Sequence, residues 1–274
     1  MSDRDCVRFL HWALPRMGFR WPGFRKVRRQ VCRRIARRRH ELELADLEAY
    51  RRHLESHPAE WSRLDRLCRV TISRFCRDRG VFEALGRTVL PALAERSQSR
   101  GEDRVRVWSA GCGAGEELYS VALVWRQAAT DVDTSLELEL VGTDTDEHQL
   151  ERARQAVYPE SCLRELPEGW VGDSFTREPS GELRLGSDYR RSVRLTRQDL
   201  RHEAPPGLFH LILCRNLAFT YFDDQFQGQV LTRLFSKLVP RGALVLGSHE
   251  TLPAGDWGLV PWDDAGCILQ KISS

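Results

Sequence analysis

The chain has 274 residues, of which 41% are hydrophobic and 30% are charged, and its formal net charge is +3. This balance excludes a disordered or fibrous protein, and the length suits a principal domain with a smaller companion. No apolar run of about 18 residues occurs, and the first residues carry mixed charge, so we expect a cytoplasmic protein that does not insert into membranes.

The eight cysteines predict neither a metal site nor a disulfide framework. None of them forms a Cys-x-x-Cys pair, and they are scattered through predicted helices and strands. For a chain of this length without a secretion signal, we expect buried or half-buried free thiols.

The positive charge is concentrated near the N-terminus. Between Arg16 and Arg39 the sequence has eleven basic residues and no acidic one, so the rest of the chain is net acidic. Three interpretations of this segment stay open: a solvated helix face, a docking surface for an acidic protein helix, or a nucleic-acid patch.

Residues 1–96 are predicted to form a small all-α N-terminal domain, because glycines are few and apolar residues recur at helical spacing. Residues 97–103 are predicted to be a linker to a second domain at 104–274. The first domain includes a basic amphipathic helix whose apolar stripe is Phe24, Val27, Val31 and Ile35. Its predicted helices span residues 23–40, 44–56 and 59–67.

After the linker, strands alternate with helices, which predicts an α/β fold with a doubly wound, mostly parallel sheet. Residues 167–191 interrupt the alternation, and Glu178-Pro179-Ser180-Gly181 predicts a small inserted β-hairpin subdomain. The predicted strands are 104–109, 136–142, 192–196, 209–214, 243–247 and 267–272. The predicted helices are 116–128, 146–157 and 224–238.

A glycine-rich turn, with Gly111, Gly113 and Gly115, joins the first predicted strand to a helix. Such a turn lets a ligand approach the backbone at the helix N-terminus, although it can also be a plain turn. Glu116 and Glu117 occupy the first helical turn, where two like charges about 4 Å apart repel by about 4 kcal/mol at an effective dielectric near 20. They disfavour a phosphate and attract a ligand with an ammonium and a sulfonium, which favours S-adenosylmethionine over NAD or ATP.

The ends of the next two strands supply further candidate ligands. Asp144 lies where a ribose diol would bind at the carboxyl edge of the sheet, and Asp146 is expected to be the N-cap of the following helix. In Arg197-Gln198-Asp199-Leu200, a side-chain amide or carboxylate and the adjacent backbone can recognise an adenine edge. Glu117 is expected mainly to complement the helix dipole.

Several ordered motifs extend over nearly the whole sequence. They are Thr71–Asp78, Trp108–Ser120, Gly142–Asp144, Phe209–Asn216, Tyr221–Asp223, Pro240–Gly242 and Gly247–Glu250. With the basic helical N-terminal domain, they make the chain resemble the CheR family, the chemoreceptor glutamate methyltransferases. The resemblance implies a class I methyltransferase-like sheet that binds S-adenosylmethionine and releases S-adenosylhomocysteine.

The resemblance also assigns roles to individual residues. It implies that Arg77 and Tyr221 face the reacting methyl. The residues that it places around the cofactor, together with the glycines of the turn, are Thr71, Ser73, Arg77, Gly111, Gly113, Gly115, Glu116, Asp144, Asp199, Leu200, Arg215 and Asn216. The chain departs from the family pattern at Thr71, Cys76, Asp78, Leu118 and Asp199. In addition, five steps separate Asn216 from Tyr221, one more than in the family.

The reaction implied is O-methylation of glutamate carboxylates on a chemoreceptor-like protein, with an acidic helical substrate docked on the basic segment. One alternative is a small-molecule or other non-receptor acceptor with a carboxylate, thiol or hydroxyl. Others are a cofactor-binding regulator without turnover and a protein-docking module built around the basic helix. Nucleic-acid methylation is disfavoured, because the Asn-Pro-Pro-Tyr type of site is absent from Asn216–Tyr221. No metal is expected, and His249 is given no acid–base role.

Overall fold

The computed structural model describes residues 2–71, 73–128, 136–262 and 266–272. Its contacts divide the chain into two compact units, Met1–Thr71 with Leu217–Gln227 and Ile72–Asn216 with Gly228–Ser274. Across the described residues, every helix is too short or too polar to cross a membrane.

The secondary structure follows the predicted order of helices first and alternating strands and helices afterwards. The α-helices are α1 (Asp3–Ala13), α2 (Trp21–Phe24), α3 (Arg28–Glu41), α4 (Leu47–Ser56), α5 (Pro58–Cys68), α6 (Arg79–Ala84), α7 (Leu90–Ser99), α8 (Glu116–Ala128), α9 (Glu147–Gln155), α10 (Trp170–Ser174), α11 (Ser187–Arg190), α12 (Ala218–Tyr221) and α13 (Asp224–Lys237). The strands are β1 (Arg104–Ala110), β2 (Glu137–Asp144), β3 (Val157–Tyr158), β4 (Phe175–Arg177), β5 (Leu183–Leu185), β6 (Val193–Arg197), β7 (Phe209–Leu213), β8 (Leu238–Val245), β9 (Leu259–Pro261) and β10 (Ile268–Lys271). Residues Leu14–Met17 and Glu160–Cys162 form 3-10 turns, and Leu85–Val89 form a π-helical segment.

The basic helix of the first unit begins later than predicted. The predicted helix 23–40 is broken, because the chain turns after α2 and the amide of Val27 donates to the Phe24 carbonyl oxygen at 3.1 Å. Helix α3 then buries Val31 and Ile35 completely. The apolar stripe therefore fixes which face of α3 is buried, as its spacing indicates.

Two arginines on α3 bind other residues of the first unit and fix the position of this helix. Arg38 forms a two-pronged ion pair with the carboxylate of Glu60, with both N–O distances at 2.9 Å, and the Tyr50 hydroxyl donates to the same carboxylate at 3.0 Å. The Arg38 hydrogen bonds lower the pKa of Glu60. Arg34 donates to the backbone carbonyl oxygens of Leu67 and Arg69 at the C-terminal end of α5. Part of the basic segment is thus structural.

A disulfide joins Cys6 on α1 to Cys32 on α3. The expectation of free thiols is wrong for this pair. The two residues are 26 positions apart, and only the packing of α1 against α3 brings their Cα atoms to 6.0 Å. Sequence spacing cannot reveal that contact. The other six cysteines form no disulfide within the described residues, and five of them are buried.

The main sheet of the second unit has seven strands in the order β6-β2-β1-β7-β8-β10-β9. Strand β10 is antiparallel to β8 and β9, and the other pairs are parallel. The doubly wound, mostly parallel α/β fold is therefore confirmed. Strand β9 is absent from the prediction because it has only three residues and no clear alternation.

The segment 79–99 packs with the second unit, whereas the sequence analysis assigned it to an N-terminal domain ending at residue 96. Phe82, Leu90 and Leu93 belong to the same buried cluster as Val105 and Leu118. Residues 97–99 continue α7 instead of starting a linker. Periodicity indicates that a helix has an apolar face, but it does not indicate which neighbour covers that face.

The predicted insertion at 167–191 contains a β-hairpin, in which Phe175 pairs with Leu185 and Arg177 with Leu183. Gly181 has a φ of 86°, a conformation that glycine adopts without strain, in the connecting turn. The hairpin is part of a three-stranded sheet in the order β3-β5-β4. Strand β3 was missed because it has two residues only.

Candidate active site

The glycine-rich turn between β1 and α8 has a left-handed backbone. Gly111, Gly113 and Gly115 have φ angles of 82°, 55° and 89°. A Cβ on Gly115 would lie 2.9 Å from the ring of Tyr119, and no described atom lies within 4 Å of where a Cβ on Gly113 would be. The turn therefore needs glycine for its conformation, and at Gly113 it leaves room for a ligand.

Glu116 begins α8 and is only 3% exposed. Among the described residues its buried Oε2 atom has no hydrogen-bond partner, while the Ser73 side chain hydrogen-bonds to the carboxylate. Burial raises the pKa of Glu116. An ionised carboxylate with an unsatisfied buried oxygen is costly unless a cationic donor reaches it. The geometry suits the ammonium group of an amino-acid ligand.

Asp144, at the end of β2, is oriented by two backbone amides. Its Oδ2 accepts from the Gly113 amide at 2.9 Å, and its Oδ1 accepts from the Asp146 amide at 2.8 Å. Asp144 thereby joins the glycine turn to the edge of the sheet, where a ribose is predicted. Asp146 caps α9 as predicted, since its side chain accepts from the His148 amide at 3.0 Å.

The segment after β6 presents a different residue from those selected by sequence reasoning. The carboxylate of Asp199 is paired with Arg201, whose Nη2 lies 2.8 Å and Nε 3.0 Å from it. Leu200 is buried, and its carbonyl oxygen accepts from Arg233 at 2.9 Å. The neighbouring Gln198 has a buried amide oxygen without a hydrogen-bond partner, and its backbone amide donates to the Asp144 carbonyl at 3.0 Å.

Gln198 is therefore a candidate acceptor for an adenine amino group, and it is the side-chain amide of the segment in which the sequence predicts recognition of an adenine edge, although the site residues named from the sequence were Asp199 and Leu200. The available signal was the residue type, because an amide side chain at the carboxyl end of a strand can recognise an adenine edge. What the sequence lacked was the pairing of Asp199 with Arg201, which satisfies that carboxylate within the loop.

Arg215 follows β7 and is a fully buried ionic centre, with its side chain 1% exposed. It forms ion pairs with Asp78 at 2.7 Å and with Glu117 at 3.1 Å. It also donates to the carbonyl oxygens of Arg77 at 2.9 Å and Leu246 at 3.3 Å. Glu117, expected to complement the helix dipole, thus has a specific partner. Four protein acceptors engage the Arg215 guanidinium, so it organises its surroundings through protein contacts.

The loop that carries Arg77 is held at several points besides Arg215. The Phe75 amide donates to the Cys162 carbonyl at 3.0 Å, and the Cys76 amide donates to the Ser120 hydroxyl at 2.8 Å. Cys76 and Asp78 have φ angles of 50° and 62°, so Arg77 lies between two left-handed residues. Tertiary contacts therefore define this conformation, which is costly for residues other than glycine.

Asn216 also has a left-handed backbone, with a φ of 54°. The backbone amide of Asn216 donates to the Glu250 Oε2 atom at 2.7 Å, and the backbone amide of Gly247 donates to the same oxygen at 2.8 Å. A Cβ on Gly247 would lie 2.8 Å from the Glu250 Oε2 atom and 3.0 Å from the Asn216 Oδ1 atom, so a larger residue there would displace these side chains. Glu250 thus joins the ends of β7 and β8 beside Arg215.

Thr71 and Tyr221 belong to the first compact unit. Thr71 is exposed after α5, and Tyr221 is half-buried in α12. Among the predicted site residues of the second unit, Ser73 contacts Glu116, Gly113 contacts Asp144, and Arg77 contacts Arg215. Ile72 lies outside the described residues.

The residues at the glycine turn fit S-adenosylmethionine. Within the described residues, Glu116 and Gln198 each have a buried oxygen without a partner, which is suited to accept from an ammonium or an amino group, and both Asp144 oxygens have the chemistry to accept from hydroxyls. Glu117 is paired with Arg215, so the carboxylates at the turn that disfavour a diphosphate are those of Glu116 and Asp144. The donor preference inferred from sequence therefore agrees with the side-chain geometry.

Comparison with known proteins gives a family match over residues 71–259, to the CheR methyltransferase, SAM binding domain. "Chemotaxis protein methyltransferase 2" of Vibrio cholerae is 26% identical over 260 residues, which cover 92% of this chain and 87% of that protein. "Chemotaxis protein methyltransferase" of Listeria monocytogenes is 31% identical over 209 residues, which cover 76% of each chain. "Chemotaxis protein methyltransferase 2" of Pseudomonas aeruginosa is 30% identical over 225 residues, which cover 80% of this chain and 77% of that protein.

Proposed function

The chain belongs to the CheR family of S-adenosylmethionine-dependent methyltransferases, and from this premise we propose that it methylates glutamate side chains of a chemoreceptor-like protein. The observation that carries the proposal is a row of exposed arginines on α3, described below. The relatives named as chemotaxis methyltransferases support the same acceptor class.

The proposed chemistry needs no general base. A glutamate carboxylate has an ordinary pKa of about 4.3, so it is already an ionised nucleophile at neutral pH. S-adenosylmethionine supplies a methyl group activated on a sulfonium. Alignment of nucleophile and methyl can provide several kcal/mol, up to about 7 to 11 in ideal systems.

Chain residues would provide that alignment. We assign Glu116, Asp144 and Gln198 to holding the donor, and Arg77 to fixing the incoming carboxylate through a charge-assisted hydrogen bond. Tyr221 stays assigned to the reacting methyl by resemblance. The remaining predicted ligands, Thr71, Ser73, Asp199, Leu200, Arg215 and Asn216, stay assigned to the surroundings of the donor by resemblance, with Arg215 acting through its protein contacts.

The docking face is the outer side of α3. Arg29, Arg33 and Arg37 are exposed and follow each other at four-residue spacing, which aligns them on one side of the helix. On the inner side of α3, Arg34 donates to the backbone carbonyl oxygen of Arg69 and Arg38 forms an ion pair with Glu60. An exposed row of cations attracts an acidic surface at long range and suits an acidic helical substrate.

The decisive experiment is transfer of a labelled methyl group from S-adenosylmethionine to a chemoreceptor cytoplasmic fragment. We expect label on the fragment that mild base releases as methanol, because esters hydrolyse and N- or S-methyl groups do not. The matched control is the same fragment with its acceptor glutamates changed to glutamine, which should remain unlabelled. Base-stable label, or turnover confined to small carboxylates, thiols or hydroxyls, would contradict receptor glutamate as the acceptor.

The docking face predicts a selective effect on substrate binding. In the triple variant Arg29→Ala, Arg33→Ala, Arg37→Ala, we expect the KM for the receptor fragment to rise about tenfold. Exposed ion pairs contribute about 0.2 to 1 kcal/mol each, and 1.4 kcal/mol is about tenfold. The kcat and the affinity for S-adenosylmethionine should not change. Steady-state kinetics at two salt concentrations measure the effect. Higher salt should raise the KM of the wild type and so reduce its difference from the triple variant.

A triple variant elsewhere in the first unit separates local docking from net charge. Arg52, Arg63 and Arg66 are also exposed, and their replacement by alanine removes the same charge from other helix faces. Equal increases in KM for the two triple variants would rule out a specific face on α3.

A further inference from the structure

We propose that Arg20 is a positioning residue for the methyl transfer, acting through the backbone of α12 to set the direction of Tyr221. This inference rests on the proposed function, because the role of Tyr221 beside the reacting methyl comes with it. All of the residues concerned belong to the first compact unit.

Arg20 binds the C-terminal end of α12 with both its backbone and its side chain. Its amide donates to the Tyr221 carbonyl at 2.9 Å, and its guanidinium donates to the carbonyl oxygens of Thr220 at 3.3 Å and of Phe219. The last carbonyls of a helix have no partner within the helix, so an external donor there determines how the helix ends. Arg20 thus contacts three consecutive carbonyls, ending at Tyr221 itself.

The residues on either side of Arg20 hold the same segment. Phe19 and Phe222 form an antiparallel bridge, and the Asp223 amide donates to the Gly18 carbonyl at 2.9 Å. The ring of Phe24 meets the ring of Tyr221 edge-on, with centroids 5.1 Å apart. Residues 18–24 therefore contact residues 219–223 along their length, and Arg20 is the residue among them that binds the C-terminal end of α12.

Gly23 supplies an independent indication that the two segments must approach closely. A Cβ on Gly23 would overlap the Thr220 carbonyl oxygen, which is a backbone atom and cannot move aside as a side chain can. Gly23 has no left-handed backbone that would otherwise require glycine. The absence of a side chain is thus explained by the proximity of α12.

The contacts from residues 18–24 matter because the local sequence does not set the direction of Tyr221. Five steps separate Asn216 from Tyr221, and α12 has only four residues, which is too short to be stable alone. Leu217, before it, lies outside the helical region, with φ −133° and ψ −91°. Local sequence therefore leaves the direction of Tyr221 open, and residues 18–24 supply tertiary contacts that hold its backbone and its ring.

The test uses the full chain labelled with 3-fluorotyrosine, whose five tyrosines give five fluorine NMR signals. Tyr221→Phe identifies the signal of Tyr221. In Arg20→Ala we expect that signal to shift while the other four stay in place. Arg8→Ala is the matched control, because its side chain is 84% exposed and paired only with the nearby Asp5 among the described residues. An unchanged Tyr221 signal in Arg20→Ala would overturn the proposal, whatever the methyl acceptor is.

Kinetics test whether the position matters for the reaction. In Arg20→Ala we expect kcat to fall about tenfold to a hundredfold, since misplacement by about 1 Å can cost that much, with an unchanged affinity for S-adenosylmethionine by calorimetry. Added to Tyr221→Phe, the Arg20 change should lower kcat no further. Multiplicative losses in the double variant would overturn the proposal, because the two residues would then act separately.

Two further variants keep the test decisive if Arg20→Ala does not fold. Arg20→Lys keeps the charge but loses the planar fork of donors, so part of kcat should return. Gly23→Ala pushes on Thr220 from the other side and should shift the same fluorine signal. If the signal moves as expected and the receptor fragment still acquires no base-labile label, the glutamate acceptor fails while the positioning role of Arg20 stands.

Discussion

Replacement of Glu116 by glutamine is expected to weaken the binding of S-adenosylmethionine at least about thirtyfold. Loss of one member of a buried charge pair costs about 2 to 5 kcal/mol, and 1.4 kcal/mol is about tenfold in affinity. In the proposed function, the buried Oε2 atom of Glu116 would accept a hydrogen bond from the ammonium group of S-adenosylmethionine. Calorimetry with S-adenosylmethionine and S-adenosylhomocysteine measures the loss, and both ligands should be affected alike because both contain that ammonium.

The pH dependence of the same binding provides a second measurement. Burial raises the pKa of Glu116, so the wild-type affinity should weaken as the pH falls through that raised value and the carboxyl becomes neutral. The glutamine variant should lack this dependence. Glu147→Gln is the control, because Glu147 occupies the equivalent first turn of α9 but is exposed. An affinity for S-adenosylmethionine in Glu116→Gln equal to that of the wild type would show that the charge of Glu116 does not contribute to cofactor binding.

Replacement of Arg215 by alanine is expected to lower the free energy of unfolding by about 3 to 5 kcal/mol, as when one partner of a buried ion pair is removed. Glu117 would be left with its side chain 15% exposed and without its counterion, and the carbonyl oxygen of Arg77 would lose its donor. Turnover should fall as well, because the loop carrying Arg77 loses its link to β7. Urea unfolding and labelled-methyl transfer measure the two effects.

Two companion variants show whether burial of the ion pair is the cause. Arg201→Ala also removes an arginine from a carboxylate, but its partner Asp199 is two residues away and less buried, so a smaller loss is expected. In Arg215→Met combined with Glu117→Gln, stability should partly return, because no uncompensated buried carboxylate remains at Glu117. An equal loss in Arg215→Ala and Arg201→Ala would contradict the special role of the buried centre.

Local sequence was sufficient where the physical cause lies within a few residues. Gly111, Gly113 and Gly115 are needed for a left-handed turn, and Glu116 follows directly, so the type of ligand at the helix N-terminus could be argued from residue charge alone. The cap at Asp146 and the hairpin turn at Gly181 are local for the same reason. Alternating strands and helices likewise predict a mostly parallel sheet.

Sequence reasoning was wrong or silent where a distant partner decides. Arg215 pairs with Asp78 and Glu117, which lie far from it in the sequence. Cys6 and Cys32 join because two helices pack, although nothing in their spacing indicates it. The helices at 79–99 have an apolar face that fits the sheet unit, which moves the compact boundary to residue 71.

The amino-acid sequence by itself determined the kind of chemistry: the glycine turn, the acids that follow it, the order of strands along the chain and the positive segment near the N-terminus. Tertiary structure alone decided which arginines of α3 face outward, which residues Arg215 connects, and how Tyr221 is held by Arg20. The physical reason is range. Backbone conformation and charge type are properties of neighbouring residues, whereas burial, ion pairing and side-chain direction depend on segments that meet only after folding.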